Sequence, residues 1–361
     1  MKIFIDENIP LLKDVLKNCG EIVLFKGRDL TNNDLIKEKC EFLFVRSTTK
    51  VDKDLLEGTQ VKFIGSATSG TDHVDLEYLT KNNIKFSDAK GSNANSVAEY
   101  VIYSILKWAQ INNIELKGRK IGVIGYGNIG KLVAGYSDLL ELEIYVNDPP
   151  LLDEAYEFPK NFIYSKLEEI FRQCDIITNH IPLTTSGKYP TLKLIDNSLI
   201  GLIKKDSLFI HTSRGGVVDE DALIQALSAR KFFAVIDVWE NEPLINSLLC
   251  RLSFMATPHI AGYSFDGKIK GVKMMADFFH RETGLTPDYY LINNHLKDFK
   301  PINKELFTNI LTLLEILESN RKFSDDYLNL LKTMLFEDKM RAYQFDELRR
   351  TYPKRRESLS L

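Results

Sequence analysis

In the run ATPHIAGYSFDG, His259 stands between a proline and a small-residue turn, and its use depends on what the fold sets beside it. Histidine titrates near neutral pH, which suits it to taking or giving a proton at a hydroxyl-bearing carbon. In HTSRGG, Arg214 precedes two glycines that clear space around it. A guanidinium there would grip a carboxylate through two parallel hydrogen bonds and never lose its charge. In DVWENEP, a carboxylate on the second ring nitrogen of the histidine would fix its tautomer and stabilise the imidazolium. Glu240 and Glu242 both qualify, and on an extended segment both would point the same way. A base, a carboxylate-binding cation and a supporting anion are together what oxidation of a 2-hydroxy acid at C2 requires.

The hydride from C2 also needs an acceptor. A strand over Lys120–Ile124 runs straight into Gly125-x-Gly127-x-x-Gly130, with Asn128 and Ile129 inside the loop, and a helical pattern follows. Gly125 allows the tight turn, Gly127 lets a pyrophosphate approach the backbone, and Gly130 allows close helix–strand packing. The next strand, Glu143–Asp148, ends in Asp148 about twenty residues on, where a carboxylate holds ribose hydroxyls and repels a 2′-phosphate. These features predict an NAD site and a preference for NAD over NADP.

The elements that must position these groups are short β-rich runs separated by amphipathic stretches. The first set covers Lys2–Ile5, Glu21–Phe25, Phe42–Ser47, Val61–Ala67 and Ile84–Ala89. A helix over Ser96–Gln110 joins it to a second set that continues after Asp148 with Asp175–Leu183, Ser207–Gly216, Ala234–Pro243 and Phe254–His259. Such alternation predicts parallel sheets with crossover helices. Ligands bind outside the carboxyl ends of such strands, so His180, Arg214, Asp237, Glu242 and His259 are expected to be neighbours. His180 and His211 lack a partner motif like that of His259. After Gly284, residues 286–304 read as a linker, and leucine-rich amphipathic helices are expected over residues 304–319 and 325–337. Their apolar surface is to be covered either by their own domain or by a second subunit.

The chain has 361 residues, more than one core normally serves, with 44% hydrophobic and 27% charged residues. A net charge of −3 gives no overall attraction to nucleic acid. Cys19, Cys40, Cys174 and Cys250 are scattered, without CxxC pairs or histidines at ligand spacing, so neither a metal site nor a disulfide framework is expected. The apolar run of MKIFIDENIP is too short for a secretory signal, and no run of ~18 apolar residues occurs, so a cytoplasmic protein is expected.

Taken in order and spacing, GYGNIG, HTSRGGVVDEDAL, DVWENEP and TPHIAGY resemble the D-isomer-specific 2-hydroxy acid dehydrogenases. The runs IDENIP, VRSTTKV, ATSGTDHVDL, EYVIYSIL, VNDPP and FDELRRTYPKRRE extend the resemblance nearly end to end, to a branch with a C-terminal region that ordinary members lack. The resemblance implies an α/β fold of two Rossmann-like doubly wound parallel-sheet domains around a cleft, plus a C-terminal α/β dimerisation domain. Residues 1–92 with a returning segment 263–284 would bind substrate, 93–262 would bind NAD, and 285–361 would form a homodimer. The substrate implied is a small phosphorylated 2-hydroxy acid, with no metal, nucleic acid or membrane partner.

Position by position, the resemblance selects Arg214, Glu242 and His259 as catalytic, and Ser47, Thr68 and Tyr263 as substrate contacts. It places Ile181, Thr212, Ser213, Arg214, Asp237 and Gly262, beside Asp148 and the glycine loop, at the cofactor. Ile181 stands where relatives often carry threonine, so a side-chain hydrogen bond to the cofactor is lost there. His73, in GTDH, is expected to brace the loop presenting Thr68. For the phosphate, strand alternation opposes Arg46 and Ser47 both entering the site, and the resemblance favours Ser47. Lys50 lies on the same turn. Arg349 and Arg350 are expected to reach across a dimer interface and add charge. The chain ends at SLSL where some relatives continue, so the edge of the terminal region is expected to differ. The competing readings are a sibling dehydrogenase of phosphoglycerate or glycerate type, and an NAD-sensing binding protein on the same fold.

Overall fold

The structure is a computed structural model that describes residues 1–297 and 304–361. The chain divides into two compact units, one holding Met1–Asn93 and the segment that begins at Ser264, the other holding Ala94–Tyr263 and the C-terminal residues.

The first unit is built on five parallel strands, β1 (Lys2–Asp6), β2 (Glu21–Phe25), β3 (Phe42–Val45), β4 (Phe63–Ser66) and β5 (Lys85–Asp88), in the order β2-β1-β3-β4-β5. Every residue of β3 is buried, as a strand covered by helices on both faces requires. On one face Phe42 and Phe44 pack against Phe278 and Phe279 of helix Phe265–Thr283. Ser264 starts that helix by accepting the Gly267 N–H at 2.9 Å, and Gly284, at φ 71°, ends it. The expected linker holds a further helix, Tyr289–Lys297, because Tyr289, Ile292 and Leu296 recur at helical spacing and pack into the same core. The rest of that linker, residues 298–303, lies outside the described residues.

The second unit opens with the long helix Ala94–Asn112 and carries β6 (Lys120–Ile124), β7 (Glu143–Asn147), β8 (Ile163–Tyr164), β9 (Ile176–Asn179), β10 (Leu208–His211), β11 (Phe233–Ile236) and β12 (Met255–Ala256). All are parallel, in the order β12-β11-β10-β9-β6-β7-β8. The chain winds outward on one side of β6 and then on the other, so the switch point where such sheets bind ligands lies between the ends of β6 and β9. Observed strands are shorter than the β-rich runs of the sequence: Asp175–Leu183 contributes only Ile176–Asn179, because its polar end leaves the ladder to form loops.

The C-terminal region departs from expectation. Residues 304–361 carry a 3₁₀ turn at Lys304–Thr308 and helices Ile310–Arg321, Phe323–Thr333 and Asp338–Arg350, with no strand among the described residues, so it is not an α/β domain. Nor does it stand apart from residue 285 onward. Phe323 packs its ring on Tyr100 and Tyr103 of helix Ala94–Asn112, at centroid distances of 4.9 and 5.2 Å. Arg321, fully buried, pairs with equally buried Glu99, whose carboxylate also accepts the N–H groups of Ser358 and Leu359. The pair, with the Ser358 and Leu359 N–H groups on the same carboxylate, ties the terminal segment to the central unit.

Candidate active site

Each glycine of the loop after β6 has its own reason. Gly125 sits at φ 86°, donates its N–H to Asn147 O at 2.8 Å, and has no room for a side chain: a Cβ would lie 2.8 Å from Cγ2 of Ile181. A Cβ on Gly130 would lie 1.9 Å from the Gly125 carbonyl, so the helix could not seat. A Cβ on Gly127 would meet nothing within 4 Å; the missing side chain leaves the backbone open to a ligand. Gly127 also precedes helix Asn128–Leu139 without a side-chain cap, so the first N–H groups there, with Asn128 and Ile129, are free to take an anion. Asp148 accepts the Tyr126 N–H at 2.7 Å through Oδ2 and the Leu151 N–H at 3.1 Å through Oδ1, which fixes the carboxylate while leaving lone pairs for ribose hydroxyls. The donor set fits a dinucleotide.

At the ends of β9 and β10 the two other strand-end histidines are structural. His180 bonds Thr178 Oγ1 at 3.0 Å and Thr212 Oγ1 at 3.4 Å. His211 Nδ1 faces Asn179, which also accepts from Ser213 Oγ. Burial pushes both imidazoles down to about 3, so they are neutral. Thr212 and Ser213 are buried in this network; Arg214, half-buried, donates Nη1 to the Ser213 carbonyl at 2.9 Å. Gly215 is required there, because a Cβ would lie 1.8 Å from the Trp239 carbonyl.

Asp237, at the end of β11, spends its carboxylate on the loop that carries His259. It accepts from Thr257 Oγ1 at 2.6 Å, Ile260 N at 2.8 Å and Ala261 N at 3.0 Å. Clamped on both sides, His259 is held at φ 56°, a left-handed conformation that a non-glycine residue adopts only under constraint. Its Nδ1 lies 2.9 and 2.8 Å from the two oxygens of Glu242. Burial pushes the Glu242 carboxyl up, but His259, Arg349 and the Trp239 N–H outweigh it and hold the group below its ordinary value. The structure also separates the two glutamates. Residues 240–243 form turns, not the extended segment that would aim both the same way, and Glu240 pairs with Lys193 at 3.7 Å.

Tyr263 follows Gly262 in the same loop, donating its N–H to Ile260 O at 2.8 Å and accepting Arg321 Nη2 on its carbonyl at 3.0 Å. Its ring meets Tyr352 edge-on at 5.5 Å. In the first unit, Ser47 is exposed after β3, and Thr68 Oγ1 bonds Ser66 Oγ at 2.9 Å. Ser66 Oγ lies 3.1 Å from Nε2 of His73, so His73 braces Thr68 through a shared serine. Lys50 is committed to Asp52 at 2.6 Å. Sequence reasoning missed Trp239, whose N–H holds Glu242 at 3.1 Å, and Arg321 behind Tyr263. Within this chain, Arg349 lies 3.6 Å from Glu242 and Arg350 pairs with Glu347 on its own helix. The run FDELRRTYPKRRE marked the segment; nothing local says which residue it meets.

The family model described as D-isomer specific 2-hydroxyacid dehydrogenase, NAD binding domain, matches residues 99–261. The erythronate-4-phosphate dehydrogenase of Hahella chejuensis is 41% identical over 361 residues, which cover 99% of this chain and 92% of that protein. The chain belongs to the erythronate-4-phosphate dehydrogenase family. The Marinobacter nauticus relative of the same name is 39% identical over 100% of this chain and 94% of its own. Among solved structures, NAD⁺-bound 3-phosphoglycerate dehydrogenase from Entamoeba histolytica aligns with a TM-score of 0.65 at 26% identity, over 79% of this chain and 96% of that one. Membership makes this an NAD-dependent dehydrogenase of the D-2-hydroxyacid class. No helix among the described residues is long and apolar enough to cross a membrane.

Proposed function

We propose that the protein oxidises the C2 hydroxyl of 4-phospho-D-erythronate to 2-oxo-3-hydroxy-4-phosphobutanoate, a step in the synthesis of pyridoxal 5′-phosphate. The observation that carries the reading is the His259–Glu242 pair, set on the dinucleotide unit of a chain so closely related to named erythronate-4-phosphate dehydrogenases. Relatives of this identity over the full length favour that substrate over phosphoglycerate or glycerate, and an enzyme over a sensing protein.

With Nδ1 on the carboxylate, the ring carries its proton there and offers the Nε2 lone pair as base. When bound, NAD⁺ supplies the acceptor for the hydride leaving C2. His259 takes the hydroxyl proton, and Glu242 stabilises the imidazolium that results. Arg214 binds the substrate carboxylate and polarises the C2 oxygen. Ser47, Thr68 and Tyr263 are carried as substrate contacts on the family pattern.

We extend the proposal to a cytoplasmic protein and to a homodimer, the dimer supported by exposed apolar side chains on the C-terminal segment: Leu335, 84% exposed, with Phe336, Met340 and Tyr343. Sedimentation of wild type and Leu335→Glu tests it.

The experiment for the activity is NAD reduction against a panel of D-2-hydroxy acids. The reading requires 4-phosphoerythronate to give the highest kcat/KM, and 3-phosphoglycerate in first place would replace it. Ser47→Ala and Tyr263→Phe are expected to raise KM for the phosphorylated acid far more than for erythronate, since a hydrogen bond to a charged group is worth about 1.5–3 kcal/mol.

A further inference from the structure

Arg349 lies in the last turn of helix Asp338–Arg350, beyond residues 99–261 that the family model matches, yet it reaches the His259–Glu242 pair. Its Nη1 is 3.6 Å from Oε2 of Glu242, the oxygen that lies 2.8 Å from His259 Nδ1. The guanidinium is held over two rings, at 6.0 Å from the Tyr263 centroid and 5.8 Å from that of Phe345. It is not a loose surface cation: its side chain is 24% exposed, against 20% for Glu242. Arg350 turns outward, 70% exposed, and bonds Glu347 on its own helix, so the two adjacent arginines divide their tasks.

We propose that Arg349 is a positioning residue for the His259–Glu242 pair: it orients the Glu242 carboxylate through the oxygen that also faces the imidazole and shares its negative charge. A carboxylate facing His259 alone would stabilise the imidazolium strongly, and a histidine that is already protonated cannot take the C2 hydroxyl proton. A second cation on the same carboxylate offsets part of that pull. It leaves the carboxylate in place to orient the ring and to support the charge that forms during the reaction.

The other charged groups facing the pair do not substitute for it. Asp237, just after β11, gives its carboxylate to Thr257, Ile260 and Ala261. His211, on β10, is neutral in its network with Asn179 and Ser213. Glu220, at the start of helix Glu220–Ser228, accepts the Glu240 N–H at 2.8 Å, and Glu240 faces Lys193. Tyr263 lies beneath the guanidinium itself.

The inference rests on the catalytic reading of His259 and is tested by a measurement that does not need turnover. The imidazole of His259 is titrated by NMR in full-length protein with labelled histidine, the His259→Gln spectrum giving the assignment. In Arg349→Met the titration is expected to move up by about half to one pH unit, and the acidic limb of NAD reduction to move up with it. Arg349→Lys is expected to restore most of both, and NAD affinity is expected to hold in each. Should Arg349→Met lose its native thermal transition, Arg349→Gln, which retains a donor without the charge, carries the same expectation. An unchanged or lowered His259 titration in a folded, charge-free variant overturns the role of Arg349 while leaving His259 as the base. Undiminished turnover in His259→Gln removes the catalytic reading instead, and the titration shift then still reports the contact.

Discussion

Nδ1 of His259 lies within 2.9 Å of both oxygens of Glu242, so the carboxylate straddles the ring nitrogen. That arrangement fixes the tautomer and gives the imidazolium a partner before any substrate arrives. The residues on either side of His259 are held by Asp237, and Glu242 by Trp239 and Arg349, so the pair is built from three separate stretches of chain.

Glu242→Gln removes the anion and keeps the shape. The imidazolium then loses its anionic partner, and the acidic limb of the oxidation profile moves to lower pH by about one unit, with a lower kcat. This shift is opposite in sign to that of Arg349→Met. A pH profile that does not move would assign the supporting carboxylate elsewhere.

We propose that Asp148 sets cofactor choice. Its carboxylate would face the 2′-phosphate of NADP as a like charge, so wild type is expected to prefer NAD strongly in kcat/KM. Asp148→Ser should reduce that preference by roughly tenfold or more, about 1.4 kcal/mol. Equal efficiency with both cofactors in wild type would remove the assignment.

Asp237→Asn replaces an oxygen that accepts a backbone N–H with an amide NH₂ that cannot. Either the Ala261 or the Ile260 N–H is then left facing a donor, at about 1–3 kcal/mol. Urea unfolding should record the loss, and kcat should fall because His259 sits between the clamped residues. Full turnover in a destabilised variant would limit Asp237 to a structural part.

Arg321→Met leaves Glu99 buried without its cation, in contact with the terminal segment. Breaking such a pair costs about 3–5 kcal/mol, whereas replacing both members by apolar groups is often near neutral. Calorimetry should show a large fall in Tm for the single variant and recovery in Arg321→Met with Glu99→Met. A single variant as stable as wild type would mean that the pair does not hold the region.

His180 and His211 give the fold a predicted acid sensitivity. Their imidazoles are lowered by burial from 6.5 to about 3, so the folded protein keeps them neutral while the unfolded chain protonates them. The stability they confer is present above pH 6.5 and is lost as pH falls toward 3. At pH 5 the loss should be about 2 kcal/mol for each. Urea midpoints at pH 7 and 5 check this, and a His211→Asn variant should show a smaller difference between them.

Much of this was legible in the chain itself. Strand positions, the Gly125–Gly130 loop with Asp148, and the strand-end placing of Arg214 and His259 follow from local rules, because β-propensity, glycine geometry and turn chemistry act over a few neighbours. The same rules predicted a helix over Ser96–Gln110, which the structure extends to Ala94–Asn112. They did not find helix Asp338–Arg350, whose one fully buried residue is Phe345, because so polar a helix is ordered by what it packs on.

Which carboxylate serves His259 was undecidable from spacing: a β-strand would aim Glu240 and Glu242 together, and only the turn at residues 240–243 parts them. The sequence by itself determined the two parallel sheets and the dinucleotide loop, and it put forward His259, Glu242 and Arg214 as the candidate acid–base and carboxylate-binding groups. Tertiary structure alone decided that Arg349 meets Glu242 and that Arg321 is buried against Glu99, more than two hundred residues away in sequence. Contacts of that range are chosen by burial and charge compensation once the chain has closed on itself, and no local pattern of residues records them.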